Sequence, residues 1–266
     1  MIKLSVILPS WKDPLLIKTI NSLLENSELG DQLEIIAVLD GYWPTFELRQ
    51  DPRVRYVHLG KNRGVRGAIN AGVEVSRGEF LMKNGEHQTC GKGYDRILTE
   101  TCESNWIVTP RRYFLDSVKW EVTDTPFVDY YKLKIQNVGN EISKFVGVEW
   151  SRPERADIMI DETMAMQGSC WVMPRKWWDE AIEELQVEGY GQHFQDFHEI
   201  VFKTWKAGGK LMVNKNTWFA HEHVNFSATP KVELPENSNK PDECYAYALS
   251  VWGDYYLNEI KPKWQI

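Results

Sequence analysis

The sequence predicts an α/β fold, a mostly parallel central sheet flanked by helices. Three observations carry this. Apolar, β-branched runs alternate with segments whose apolar residues recur at helical spacing. The runs from Lys3 to Leu8 and from Leu33 to Leu39 are apolar almost throughout, as strands buried on both faces are. They stop at Pro9 and at Asp40-Gly41, and a third run, Phe80-Leu81-Met82, leads into Lys83-Asn84-Gly85-Glu86-His87-Gln88. In parallel sheets, ligands gather at such strand ends. With 266 residues the chain has room for one large α/β domain. The expected organisation is a single domain over 1–225 with a C-terminal tail, 226–266, packed on it.

The elements follow in order. Lys3 to Leu8 is a central strand, and Ser10-Trp11-Lys12-Asp13-Pro14 is the loop after it. Leu15, Leu16, Ile20, Leu23 and Leu24 mark a helix ending near Gly30. Leu33 to Leu39 and Val54 to Leu59 are the next two strands. Asn62-Arg63-Gly64-Val65-Arg66 opens a helix with Ala68, Ile69, Ala71, Gly72 and Val75 on its packing face. The strand Glu79 to Met82, a helix from Tyr94 to Glu103 and a strand from Trp106 to Thr109 come next. Residues 110–160 mix β-prone pieces, Val118 to Val122 and Val128 to Leu133, with loop signals. Met164 to Met173 reads as a strand around Gly168. Lys176 to Leu185 and Phe197 to Ala207 read as helices, and Lys210 to Val213 as a strand. Ser227 to Asp242, rich in Pro, Asn and Lys, reads as a linker or mobile loop.

The net charge of −7 gives no general attraction to nucleic acid or to an anionic membrane. Four cysteines, Cys90, Cys102, Cys170 and Cys244, show no CxxC spacing and fit reduced thiols in a cytoplasmic protein. No apolar run approaches the length of a membrane span, and the N-terminus lacks a signal-peptide pattern. The 12 tryptophans include candidates for stacking on sugar rings, though most fit core positions.

Several groups carry possible chemistry. Glu86 and His87 offer an oxygen and a nitrogen suited to Mn²⁺, Zn²⁺ or, less well, Mg²⁺; a solvated corner is the plainer reading. A dinucleotide site would need GxGxxG after the first strand. The chain has Pro9-Ser10-Trp11-Lys12-Asp13 there, which argues against NAD. Asp40 either accepts hydrogen bonds from a base or ribose or simply shapes the Asp40-Gly41 turn. Arg63 and Arg66 stand at a helix start, where a diphosphate would be favoured, or else form a solvated face. His221 and His223 lie two apart on a strand-like segment and would point the same way. Asp196 and Glu199, one turn apart at a helix start, either form a base with its orienter or serve the helix dipole.

These pieces, in this order, resemble a GT-A glycosyltransferase. The N-terminal half is similar to family 2 through Ser5-Val6-Ile7-Leu8-Pro9, Val38-Leu39-Asp40-Gly41, the run Asn62-Arg63-Gly64-Val65-Arg66-Gly67-Ala68-Ile69-Asn70-Ala71-Gly72, and Gly78-Glu79-Phe80-Leu81. The second half is similar to phage and bacterial relatives of the polypeptide N-acetylgalactosaminyltransferase catalytic domain. Gln167-Gly168-Ser169-Cys170-Trp171, Gln195-Asp196-Phe197-His198-Glu199 and Asn216-Thr217-Trp218-Phe219-Ala220-His221 carry that likeness. The resemblance implies transfer of a hexosyl or pentosyl group from a UDP-sugar to a hydroxyl acceptor, assisted by Mn²⁺ or Mg²⁺. The acceptor would be a glycan, a protein, a small molecule or a modified DNA base.

By the same resemblance, Asp40 contacts the base and Arg66 the diphosphate, and Gln167, Gly168 and Trp171 line the donor sugar. Pro9, Ser10, Asp13, Arg63, Asn70 and Lys83 belong to the donor site, and Asp196, with Glu199, stands near the acceptor. The metal ligands implied are Glu86, His87 and His221. One departure matters: the family's DxD or DxH motif falls on Gly85-Glu86-His87, with Gly85 at the usual Asp. Either Glu86 supplies the oxygen from next door, or the metal is held weakly or dispensed with. A non-catalytic nucleotide-sugar or glycan-binding module is the alternative that Gly85 favours.

Overall fold

The computed structural model describes residues 1–139, 142–191, 194–222 and 241–266. Strand β1, Leu4–Ser10, is followed by helix α1, Leu16–Asn26, then β2, Leu33–Asp40, and β3, Val54–Leu59. Helix α2, Gly64–Val75, leads to β4, Phe80–Asn84. These strands pair in the parallel order β3-β2-β1-β4. The chain thus builds away from β1 on one side through β2 and β3, then returns to its other side with β4. That reversal opens a crevice at the carboxyl ends of β1 and β4.

Helix α2 covers one face of this sheet. It comes close because Gly72 has no side chain: a Cβ there would lie 2.5 Å from Ile7 Cγ2 and 3.2 Å from Val38 Cγ2. On the other face, Leu16, Ile20 and Leu23 of α1 pack on Leu4, Val6 and Leu8 and their β2 neighbours. The sheet is therefore buried on both sides, as the unbroken apolar runs predict.

Beyond β4 the chain departs from simple alternation. β5, Gln88–Cys90, and α3, Tyr94–Thr101, precede β6, Trp106–Asp116, which is longer than its apolar start suggests. Its continuation through Arg111 and Arg112 is held by strand pairing, not by hydrophobicity. β7, Glu121–Val122, pairs with it. β8, Tyr131–Gly139, and β9, Ile142–Glu149, form a separate hairpin, and β10 is Ile160–Glu162. Of the strand expected over 164–173, only β11, Cys170–Pro174, forms. It inserts antiparallel between β4 and β6.

A short helix α4, Arg175–Trp177, runs into a π turn, Trp178–Ile182, and α5 is Asp196–Lys206. β12, Lys210–Glu222, runs parallel to β6 with an irregularity between Asn214 and Trp218. The strand expected to stop at Val213 therefore continues for nine more residues, to Glu222, and its far end pairs antiparallel with β5, His221 opposite Gln88. Helix α6, Pro241–Tyr255, continues through a π turn, Tyr256–Ile260, into α7, Lys261–Trp264. Tyr256 hydroxyl donates to Leu133 carbonyl at 3.0 Å, and Trp252 stacks on Phe202 at 5.3 Å, so these C-terminal helices pack against the β8–β9 hairpin and α5. The 225/226 boundary, the sequon at Asn225, His223 and all but the last two residues of the linker expected over 227–242 lie outside the described residues. No helix among the described residues is long and apolar enough to cross a membrane.

Candidate active site

The crevice is lined by Pro9, Ser10 and Trp11 after β1, Asp40 at the end of β2, Val65 and Ala68 of α2, Lys83, Gly85, Glu86 and His87 around the end of β4, and His221 of β12. The turn after β1 is tightly set. Lys12 takes a left-handed conformation, φ 58°, which a non-glycine residue adopts only at a cost. The next residue, Asp13, accepts the Leu15 amide on Oδ1 at 2.7 Å and meets His87 Nδ1 with Oδ2 at 2.7 Å. Glu86 Oε2 accepts the Trp11 amide at 3.0 Å, and its own main-chain carbonyl accepts from Thr19. The loops after β1 and β4 are thus bound to one another through these side chains.

Asp13, Glu86 and His87 each offer a donor atom within 4.8 Å of the others. Burial and the nearby Asp13 carboxylate push Glu86 up to about 8, against hydrogen bonds from Ser10 and Trp11 and the charge of Lys83. A cation between the two carboxyls would favour the charged form of Glu86 again. The donor set of two carboxylates and an imidazole fits Mn²⁺ better than Mg²⁺. The His221 ring stands 4.7 Å from that of His87, but its nitrogens fall outside the three-residue cluster.

Asp40 does two things. Its carboxylate accepts the amides of Arg63 at 2.6 Å and Gly64 at 2.8 Å, capping α2 from outside the helix, and it faces the crevice. Burial raises its pKa against the pull of those amides. Lys83, 8% exposed, donates to Gly168 carbonyl at 2.9 Å and to Ser169 carbonyl at 3.5 Å. Burial pulls its pKa down, against the charge of Asp196.

Other expected residues are placed elsewhere. Arg66 is turned inward and is fully buried. Its guanidinium pairs with Glu199, donates to Phe194 and Gln186 carbonyls at 2.9 and 3.0 Å, and stacks 4.1 Å over Tyr190. Glu199, 1% exposed, also holds Lys203 at 2.9 Å. The physical reason is pairing: each charge finds its counter-ion in the interior, so neither reaches the crevice. Asn70 likewise spends its amide on both main-chain groups of Leu185.

Trp171 has no exposed surface and stacks on Trp178, so it does not line a sugar pocket. Gly168 lies against Phe197, where a Cβ would come within 2.7 Å of the ring. Gln167 accepts from the Ser169 amide at 2.7 Å, shaping the turn into β11. Arg63 is exposed at the start of α2. Asp196 is half-buried at the first position of α5, just after Gln195, whose φ of 59° is another left-handed outlier.

Sequence reasoning passed over Tyr42 and Gln88. Tyr42 hydroxyl meets Ser10 hydroxyl at 2.7 Å, and burial raises its pKa to about 12. Its place two residues after Asp40 was the only available signal. Gln88, fully buried, sits against Gly85.

A family model described as "Glycosyl transferase family 2" matches residues 5–149. No curated protein matches. Among solved structures, one described as the crystal structure of GalNAc-T7 with UDP, GalNAc and Mn²⁺ superposes with a TM-score of 0.73 at 16% identity. The match covers 97% of this chain and 50% of that one, so the chain spans half the length of that structure. At this identity the likeness bears on the fold alone. The strand order, the crevice at the β1 and β4 ends and the family match agree, and the chain belongs to glycosyl transferase family 2, with a GT-A fold.

Proposed function

We propose that this chain transfers a sugar from a UDP-sugar to a hydroxyl acceptor with the help of Mn²⁺ or, less well, Mg²⁺. The observation that carries the reading is the convergence of Asp13, Glu86 and His87 in the crevice, beside Asp40 and Lys83. The structural neighbour, though remote, was crystallised with UDP, GalNAc and Mn²⁺. A bound divalent ion supplies positive charge where the leaving diphosphate gains negative charge. Asp40 faces the nucleoside, using lone pairs beyond those that accept the α2 amides. Lys83 and the exposed Arg63 place cationic charge along the diphosphate. Asp196 stands at the α5 terminus, on the Lys83 side of the site, where it orients the acceptor hydroxyl or takes its proton.

Arg66 and Glu199 act at one remove in this reading, by fixing the start of α2 against the start of α5. His221 backs His87 across the crevice floor. The glycan, protein, small-molecule or nucleobase acceptor is read best by screening, and the acidic chain gives a DNA surface no general electrostatic support. Calorimetric titration with UDP, UDP-glucose, UDP-galactose, UDP-N-acetylhexosamines and UDP-pentoses, each with and without Mn²⁺, tests the proposal. Micromolar binding of at least one donor, followed by donor hydrolysis on standing, is expected. Binding without any turnover would favour the nucleotide-sugar-binding module; no binding by any donor would overturn both.

A further inference from the structure

Residue 85 is the first position of the loop after β4, and it is closed to a side chain. A Cβ on Gly85 would lie 2.8 Å from Gln88 Oε1, 3.3 Å from Gln88 Cδ and 3.5 Å from the His221 ring. Gln88 is not free to swing away: it has no exposed surface, and its Nε2 donates to Asn84 Oδ1 and, at 3.3 Å, to Ser169 carbonyl. Its Oε1 is buried, has no hydrogen-bond partner among the described residues, and lies against Gly85, which lines the crevice. A buried polar oxygen left so is costly.

The second carboxylate comes from the opposite side. Asp13 lies in the turn after β1, 74 residues before His87, and reaches it at 2.7 Å. Its other oxygen is fixed by the Leu15 amide, so the carboxylate is already oriented. Neighbouring ligands in an octahedral shell with bonds of about 2.1 Å lie roughly 3 Å apart, so the Asp13–His87 pair needs little movement to share an ion.

We infer that Asp13 is a ligand of the divalent cation in this crevice, with Glu86 and His87, and that Gln88 has closed position 85 to that role. The inference rests on the metal-assisted reading above. It adds that the cation is gripped between the loops after β1 and β4, so ion binding locks one loop to the other.

Electron paramagnetic resonance of Mn²⁺ tests this, with the full chain alone and with UDP present. Calorimetry of UDP in chelator runs alongside. Asp13→Asn keeps an acceptor for the Leu15 amide and so keeps the turn; Asp13→Ala removes it. Both should raise the Mn²⁺ dissociation constant at least tenfold, with UDP affinity in chelator changed less than twofold. Gly85→Asp added to Asp13→Ala should not restore Mn²⁺ binding; recovery to within twofold of wild type would overturn the closure of position 85. Unchanged Mn²⁺ affinity in folded Asp13→Asn, or no Mn²⁺ binding by the wild type in either condition, would overturn the inference. If UDP never binds but Asp13→Asn still loses Mn²⁺, the UDP-sugar reading fails and the Asp13 assignment stands.

Discussion

Two buried cations set two regions of this molecule apart. Arg66 and Lys83 are 0% and 8% exposed, and both come from segments that the sequence marks as ligand-binding. Arg66 lies in a closed knot with Glu199, Lys203 and Tyr190. Lys83 lines the crevice and, among the described residues, its hydrogen bonds go to neutral carbonyls. The first charge is neutralised by the protein itself. The second has no salt bridge among the described residues, though the charges of Asp196 and Glu86 act on it. A charge locked in a salt bridge belongs to the fold; one held only by neutral carbonyls can also meet a ligand.

The largest expected effect comes from breaking the knot. Arg66→Met strands the Glu199 carboxylate in the interior with only Lys203 against it. Removing one partner of a buried pair costs about 3–5 kcal/mol. Thermal or urea denaturation should show that loss. The double variant Arg66→Met/Glu199→Leu should recover most of it, since an apolar pair of similar volume carries no unpaired charge. A single variant within about 0.5 kcal/mol of wild type would mean that the knot is solvated and that Arg66 is not held by its counter-ion.

Next comes acid sensitivity beside the knot. His198 is buried, both ring nitrogens lack a hydrogen-bond partner among the described residues, and its ring lies 3.7 Å from that of Phe197. Burial, then the charges of Arg66 and Lys144, lower its pKa to about 3. Above its ordinary pKa of about 6.5 both folded and unfolded states hold it neutral, so it contributes nothing to pH dependence. Between there and about 3 only the unfolded state takes the proton, and stability falls as pH falls, by up to about 1.4 kcal/mol per pH unit. Below about 3 both states are protonated and the slope ends. His198→Leu should flatten that limb in urea titrations at pH 4 to 7, while leaving stability at pH 8 little changed.

These contrasts show what was legible in the sequence and what was not. The parallel half, β1 to β4 with α1 and α2, follows from local periodicity, and its burial on both faces was readable in Ile35, Ile36, Ala37 and Val38. The strand expected over 164–173 is shorter because strand content around Gly168 depends on pairing: only 170–174 joins β4 and β6, while Ala165 makes no more than an isolated bridge to Tyr131. Crevice residues at strand ends, Asp40, Lys83, Glu86 and His87, were legible because a strand's carboxyl end faces the crevice wherever the sheet order reverses. Arg66 was not. An arginine at a helix start looks the same whether it faces a ligand or a carboxylate, and its partner here lies 133 residues away. The Asp13–His87 contact was hidden for the same reason.

A smaller effect is expected where the two roles meet in one residue. Asp40 caps α2 and faces the crevice, so its loss should show in both fold and function. Asp40→Ala removes the acceptor of two amides and should cost about 1–3 kcal/mol. Asp40→Asn keeps one acceptor and should cost about half that. If the nucleoside uses the same carboxylate, both should weaken UDP binding in calorimetry by tenfold or more. Equal loss of stability with unchanged UDP affinity would assign Asp40 to the helix alone.

The smallest cost to the fold is expected at Lys83, and it is the sharpest test of the contrast. Lys83→Met keeps the length of the side chain and removes its charge. Two carbonyls, of Gly168 and Ser169, lose a donor, which costs about 1 kcal/mol. Against this, the wild-type ammonium is held where burial disfavours its charged form, as the lowered pKa records, and removing it relieves that penalty. The two contributions oppose one another, so the melting temperature should move by only a few degrees in either direction. Function should not follow stability. If Lys83 faces the diphosphate, UDP should bind at least tenfold more weakly, uridine should bind as before, and the difference should shrink as salt is raised. Equal weakening of UDP and uridine would show that Lys83 acts only by holding the 168–169 turn in place, and would leave the crevice without the unpaired cation that distinguishes it from the Arg66 knot.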